Sequence, residues 1–215
     1  MEVKIYKNIL SAHEEWAQKT RELCHKHGLK LFNLIGGPGC GKTRLLEGLC
    51  PLLQPSLPCA VLEGDLETSR DAERLLKAGV FAHQILTHGA CHLGAEIIFK
   101  ALSELPLDWI KVVFIVNVGN LVCPAEFDLG EHAKLAVLSL AEGEDKPLKY
   151  PYLFIKARAA LLTKIDLEKP LQADLQIYRN NLLQINPTLK IFELSAETGS
   201  GLAQLAEYIR LWNEA

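Results

Sequence analysis

Eight consecutive residues, Gly36-Gly37-Pro38-Gly39-Cys40-Gly41-Lys42-Thr43, match the pattern G-x-x-x-x-G-K-[ST]. Glycines in such a run let the backbone curl until successive N–H groups point at phosphate oxygens, and a helix starting there adds partial positive charge. Lys42 is then placed to bridge the β- and γ-phosphates of a nucleotide, and Thr43 to offer its hydroxyl to Mg²⁺. Arg44 joins the loop among the nucleotide-binding candidates. Asp65 closes a short apolar run, and an acidic residue at the carboxyl end of a parallel strand faces the ligand crevice. It is a candidate partner of Mg²⁺ or of an attacking water and, with Lys42, a catalytic candidate; capping a helix is its alternative role.

The base has its own candidates. Thr163-Lys164-Ile165-Asp166 follows another apolar run. A carboxylate at Asp166 can accept hydrogen bonds from both N1–H and the exocyclic amine of guanine, which adenine does not offer, while the Lys164 stem covers the ring. Backbone amides of the loop Ser195-Ala196-Glu197 can meet the guanine carbonyl. This combination favours GTP over ATP and argues against an ATP-using small-molecule kinase.

A different chemistry is offered by Cys91 and His92, since thiolate and imidazole suit Zn²⁺ or Ni²⁺. Two neighbours cannot complete a coordination sphere, and Cys123, which follows the apolar run Ile110 to Val116, is the third candidate. With three ligands per chain, a symmetric dimer would close the site across its two-fold axis. His25 and His27, near the end of a helical stretch, fit compensation of the helix dipole better than metal ligation.

Positioning these groups requires alternating strands and helices. Ile5 to His27 has the pattern of an amphipathic helix, and Leu31 to Ile35 that of a strand. Leu45, Leu46 and Leu49 recur at helical spacing after the glycine loop. Further strands are predicted at Ala60 to Leu62, Val80 to Leu86, Ile110 to Val116, Lys134 to Leu140, Ala159 to Leu162 and Lys190 to Leu194. Helices are predicted at Asp71 to Ala78, Asp174 to Leu183 and Leu202 to Trp212. The charged run Glu142 to Pro147 is predicted to be a solvated loop. The alternation predicts an α/β, three-layer phosphate-loop NTPase fold, with a mostly parallel central sheet flanked by helices and residues 1–215 forming one domain.

Its 215 residues suit one such domain. The formal charge of −3 gives no electrostatic footprint for nucleic acid or for a membrane surface. Met1 to Ile5 lacks an apolar signal core, and no apolar run reaches the roughly 18 residues of a membrane span, so the expected compartment is the cytoplasm. The 6 cysteines, one inside the glycine loop, are expected to be free thiols.

Over nearly its whole length the chain resembles the HypB family of hydrogenase nickel-incorporation GTPases, in the metallochaperone branch of phosphate-loop GTPases. The likeness is carried by Asn33-Leu34-Ile35-Gly36 with the glycine loop, Glu63-Gly64-Asp65, Asp71-Ala72-Glu73-Arg74, Ala90-Cys91-His92-Leu93, Gly119 to Ala125, and Glu142 to Pro151. The resemblance implies a homodimer promoted by nucleotide or metal, GTP or GDP with Mg²⁺, and Ni²⁺ or Zn²⁺ held between subunits by Cys91, His92 and Cys123. It also implies a maturation partner and the large subunit of a [NiFe]-hydrogenase as recipient. The urease-accessory UreG proteins share the architecture but carry a Cys-Pro-His tripeptide absent here.

Three positions depart from the family pattern. Val116 stands where a Glu usually precedes Asn-Val-Gly-Asn, Thr163 replaces an Asn, and Cys40 replaces a common Ser. Loss of a metal-organising carboxylate at Val116 predicts slow hydrolysis, on the order of a hundredfold down.

Overall fold

The computed structural model describes residues 2–65, 70–87 and 89–214, with side chains described from residue 12 to residue 212. In chain order the elements are α1 (Glu2–His27), β1 (Lys30–Gly36), α2 (Lys42–Leu53), β2 (Cys59–Asp65), α3 (Arg70–Lys77), β3 (Phe81–Leu86), α4 (Ala95–Ser103), β4 (Val112–Val116) and α5 (Cys123–Glu126). There follow β5 (Ala133–Ser139), α6 (Lys146–Lys149), α7 (Pro151–Lys156), β6 (Ala159–Thr163), α8 (Glu168–Leu171), α9 (Leu175–Ile185), β7 (Lys190–Leu194) and α10 (Leu202–Glu214).

The strands form one 7-stranded sheet in the order β3-β2-β4-β1-β5-β6-β7. Every pairing in it is parallel, so the predicted mostly parallel sheet is parallel throughout its described length. All seven strands therefore end on one edge, where a parallel α/β sheet binds its ligand.

Side chains alternate across the sheet as a period of two requires. Phe32 and Leu34 of β1, Val61 of β2 and Phe114 and Val116 of β4 pack with Leu45, Leu46 and Leu49 of α2, Leu75 of α3 and Ile209 of α10. The opposite face carries two separate apolar clusters. Leu62, Val113 and Ile115 meet Ala17 and Cys24 of α1 and Ile98 of α4. Ile35, Leu138 and Leu162 meet Phe154 of α7 and Tyr178 and Leu182 of α9.

The predicted amphipathic first helix is present and packs against α4, with Trp16 tilted on Phe99 at 5.3 Å. The side chains of Ile9 and Leu10, at the start of its apolar stripe, lie outside the described ones. Helix α4 itself has no counterpart among the predicted elements. The charged run after β5 also differs from expectation. Glu142 forms a capping box with Ser139, Pro147 is buried, and residues 146–149 make α6, so the run is folded rather than an open loop, while Glu144 and half of the Asp145 side chain stay exposed to solvent. Among the described residues no helix is long and apolar enough to cross a membrane.

Candidate nucleotide and metal site

The loop between β1 and α2 opens into a cleft of about 500 Å³. Pro38, Gly39, Gly41, Lys42, Thr43 and Arg44 form its floor, and Glu63, Gly64 and Asp65 come from the end of β2. Asp71 and Arg74 of α3, the segment Asn117–Gly119 and Lys164 complete the wall. Gly41 precedes α2 with φ 97°, a left-handed conformation that costs glycine little, and has no side chain with which to cap the helix. The helix N-terminus is thus left to a ligand, and its partial charge suits a phosphate. Lys42 is buried, its Nζ donating to the carbonyls of Gly36 at 3.0 Å and Gly37 at 3.3 Å. Cys40 is buried in the same turn, and burial pushes its thiol pKa up.

Loop and base-binding elements are tied together. The hydroxyl of Thr163 donates to the Cys40 carbonyl at 2.6 Å, and Lys164, held at φ 61°, donates from Nζ to the Gly39 carbonyl at 2.8 Å. The departure at Thr163 therefore still fastens the strand end to the phosphate loop. Asp166 Oδ1 accepts from the Ser195 hydroxyl at 2.5 Å, which sets the carboxylate beside the loop Ser195–Glu197. The amide of Ser195 donates to the Ser200 carbonyl at 3.0 Å, so this amide, expected at the base, is engaged inside its own turn. Glu197 pairs with Arg44 at 3.4 Å.

Asp65 is the last residue of β2, half-buried on the cleft wall as expected. Two residues earlier lies a group not singled out from the sequence. Glu63 is 3% exposed, and its carboxyl interacts with the Thr43 hydroxyl. Its Oε2 has no hydrogen-bond partner among the described residues. Burial first, then the Asp71 carboxylate, push its pKa up to about 8, against the opposing pull of Lys42. The available signal was spacing: residues i and i+2 of a strand share a face, so Glu63 and Asp65 both continue the side of β2 that faces α2. Asp71, Arg74 and Asn117 are further cleft residues absent from the candidate set.

Cys91 lies on the loop after β3, and Cys123 opens α5 after β4. Their thiols interact, which holds the Cys91 thiol pKa above its ordinary value, and Cys91 Sγ lies 3.6 Å from His92 Nδ1. The His92 ring stacks on Phe127 with centroids 4.1 Å apart, and burial pushes its pKa down. All three candidates thus gather in one region. Even so, among the described residues no three Cys, His, Asp or Glu side chains are arranged to hold a metal ion within one chain.

The segment after β4 joins this region to the cleft. Buried Asn117 accepts at Oδ1 from the amide of Leu93, next to His92, at 3.2 Å. Asn120 Nδ2 donates to the Cys91 carbonyl at 3.4 Å. Between them Gly119 packs on the phosphate loop so closely that a Cβ there would lie 3.0 Å from Pro38 Cα.

The nucleotide-binding domain of the CobW/HypB/UreG family matches residues 30–193. The hydrogenase maturation factor HypB of Escherichia coli K12 is 43% identical over 209 residues, 97% of this chain and 71% of that protein. This chain belongs to the HypB family. Solved HypB structures agree: that of Helicobacter pylori HypB in complex with nickel superposes with a TM-score of 0.90 at 35% identity, covering 94% of this chain and 95% of the other. HypB from Archaeoglobus fulgidus superposes with a TM-score of 0.88 at 32% identity, covering 94% and 99%. The sheet and its flanking helices are accordingly those of a HypB domain, and in this chain Val116 and Glu63 are neighbours across the ladder from β2 to β4.

Proposed function

We propose that this chain is a nickel metallochaperone GTPase of hydrogenase maturation, binding GTP with Mg²⁺ and releasing GDP and phosphate. Ni²⁺, or Zn²⁺ in its place, is the cargo. It is held by Cys91, His92 and Cys123 from two subunits of a homodimer and passed, with a maturation partner, to the large subunit of a [NiFe]-hydrogenase in the cytoplasm. The observation that carries this reading is the segment Asn117–Asn120, which touches both the phosphate loop and the loop bearing Cys91 and His92. Support for nickel comes from the metal-bound relative.

In this reading Lys42 exchanges the carbonyls of Gly36 and Gly37 for β- and γ-phosphate oxygens. Thr43 and Asp65 hold Mg²⁺, for which oxygen donors on the cleft wall are the fitting type. When bound, Mg²⁺ neutralises charge developing on the phosphates. Asp166 and Lys164 select guanine, with the amides of Ala196 and Glu197 at its carbonyl. Dimer closure brings two Cys91-His92-Cys123 sets together, and the nucleotide state sets how readily they close.

Sedimentation of the protein at defined nickel stoichiometry, with and without a non-hydrolysable GTP analogue, tests assembly and metal sharing together. Dimers holding one shared ion in the analogue state support the reading, and one ion bound per monomer contradicts it. A second reading, a nucleotide-gated scaffold with residual turnover, is favoured by Val116 at the end of β4. Single-turnover cleavage of GTP separates the two.

A further inference from the structure

The carboxylate missing at Val116 has a neighbour. Glu63 and Val116 are register partners in the parallel ladder between β2 and β4. Their Cα atoms therefore sit about 4.8 Å apart on adjacent strands, with side chains on the same face. That face is the one α2 covers, since Val61 of β2 and Phe114 and Val116 of β4 pack there with Leu45 and Leu46. A carboxylate at either position thus rises beside the start of α2, where Thr43 stands.

The register is held tightly. A Cβ on Gly64 would lie 3.0 Å from the Val116 carbonyl and 2.7 Å from Leu93 Cδ1, so β2 and β4 approach closely just after Glu63. The carboxyl is buried and lines the cleft together with Thr43, and its Oε2 is without a partner among the described residues. An unsatisfied carboxyl oxygen inside a protein is unfavourable, and a bound ion is one physical reason for a buried group to stand unpaired.

We propose that Glu63 takes over the role of the carboxylate absent at Val116 and, with Thr43 and Asp65, holds the Mg²⁺ that accompanies the nucleotide. The inference rests on the reading of the cleft as a Mg²⁺–nucleotide site. Glu63 lies one strand to the side of Val116, on β2 beside β4, at the same height above the phosphate loop. Under this proposal Glu63 would support the hydrolysis that Val116 alone would leave slow.

The test is the Mg²⁺ concentration at which a fluorescent GDP analogue reaches half its full affinity gain, measured for wild type, Glu63→Gln and the double variant Glu63→Gln/Val116→Glu. Glu63→Gln raises that midpoint by about tenfold to a hundredfold, and the double variant recovers most of it by restoring a carboxylate on the adjacent strand. The same midpoint in Glu63→Gln as in wild type overturns the proposal, and so does a loss that Val116→Glu fails to repair. A wild-type protein whose GDP affinity ignores Mg²⁺ defeats the underlying reading of the cleft instead. Should Glu63→Gln not fold, Glu63→Asp withdraws the carboxylate by one methylene and shifts the midpoint upward in a soluble protein; no shift overturns the proposal.

Discussion

The phosphate loop and the Cys91-His92-Cys123 cluster share the carboxyl edge of the sheet and are constructed in opposite ways. In the loop Cys40, Lys42 and Thr43 are buried, and Thr163 and Lys164 clamp its carbonyls from a strand more than a hundred residues away in sequence. In the cluster Cys91 is exposed, its thiol lies beside the His92 imidazole, and among the described residues no three side chains form a metal cage. One region is preorganised within a single chain. The other is exposed, and in the proposed homodimer its remaining ligands would come from a second subunit. In the function proposed above, the rigid region would read the nucleotide and the cysteine cluster would respond.

Substitutions that break one region without the other sharpen this contrast. The largest effect is expected from Lys42→Ala, which removes the cation of the preorganised region. Guanine-nucleotide affinity should fall by roughly a hundredfold, about 3 kcal/mol, in a calorimetric titration, with nickel binding retained. Next comes Cys123→Ser, for which competition with a chromogenic chelator should report nickel affinity at least about tenfold weaker while GDP affinity stays close to wild type.

Gly119→Ala strikes the junction between the two. Its Cβ would sit 3.0 Å from Pro38 Cα and 3.1 Å from Pro38 N, and backbone must shift to admit it. Overpacking of this kind costs about 1–3 kcal/mol, so a lower melting temperature and a nickel affinity blind to the nucleotide are the expected outcome. The smallest effect concerns neither region. His132 Nδ1 accepts from the Leu31 amide at 3.1 Å, and burial, then Lys30, hold its pKa below the ordinary value. That contribution is present above pH 6.5 and is lost as pH falls through the depressed folded-state pKa. Thermal melts across pH 7.5 to 5 should show a small loss of stability that His132→Gln reduces.

Strands of this fold were legible because most are short, largely apolar runs, with β1 closed by Gly36 and β2 by Asp65, and the glycine loop declared its ligand through spacing. Lys164, Asp166, Asp65 and the two cysteine turns stand near the cleft or the cluster for the same reason: parallel strands deliver their carboxyl ends to one edge. What escaped was set by tertiary pairing. Helix α4 spans only nine residues, AEIIFKALS, too short and too evenly apolar for a period to separate helix from strand. Glu142 belongs to a charged run that looks solvated, yet its side chain accepts the Ser139 amide at 2.8 Å and is drawn inward. Glu63 was obscured because its significance depends on lying beside Val116, a register that no local pattern encodes.

The central claim is that nucleotide and metal sense each other through the segment Asn117–Asn120. Calorimetric titration of Ni²⁺ into protein loaded either with GDP and Mg²⁺ or with a non-hydrolysable GTP analogue and Mg²⁺ tests it most directly. The account predicts affinities at least about tenfold apart, a coupling of roughly 1–3 kcal/mol. Identical nickel affinities in the two states would contradict it.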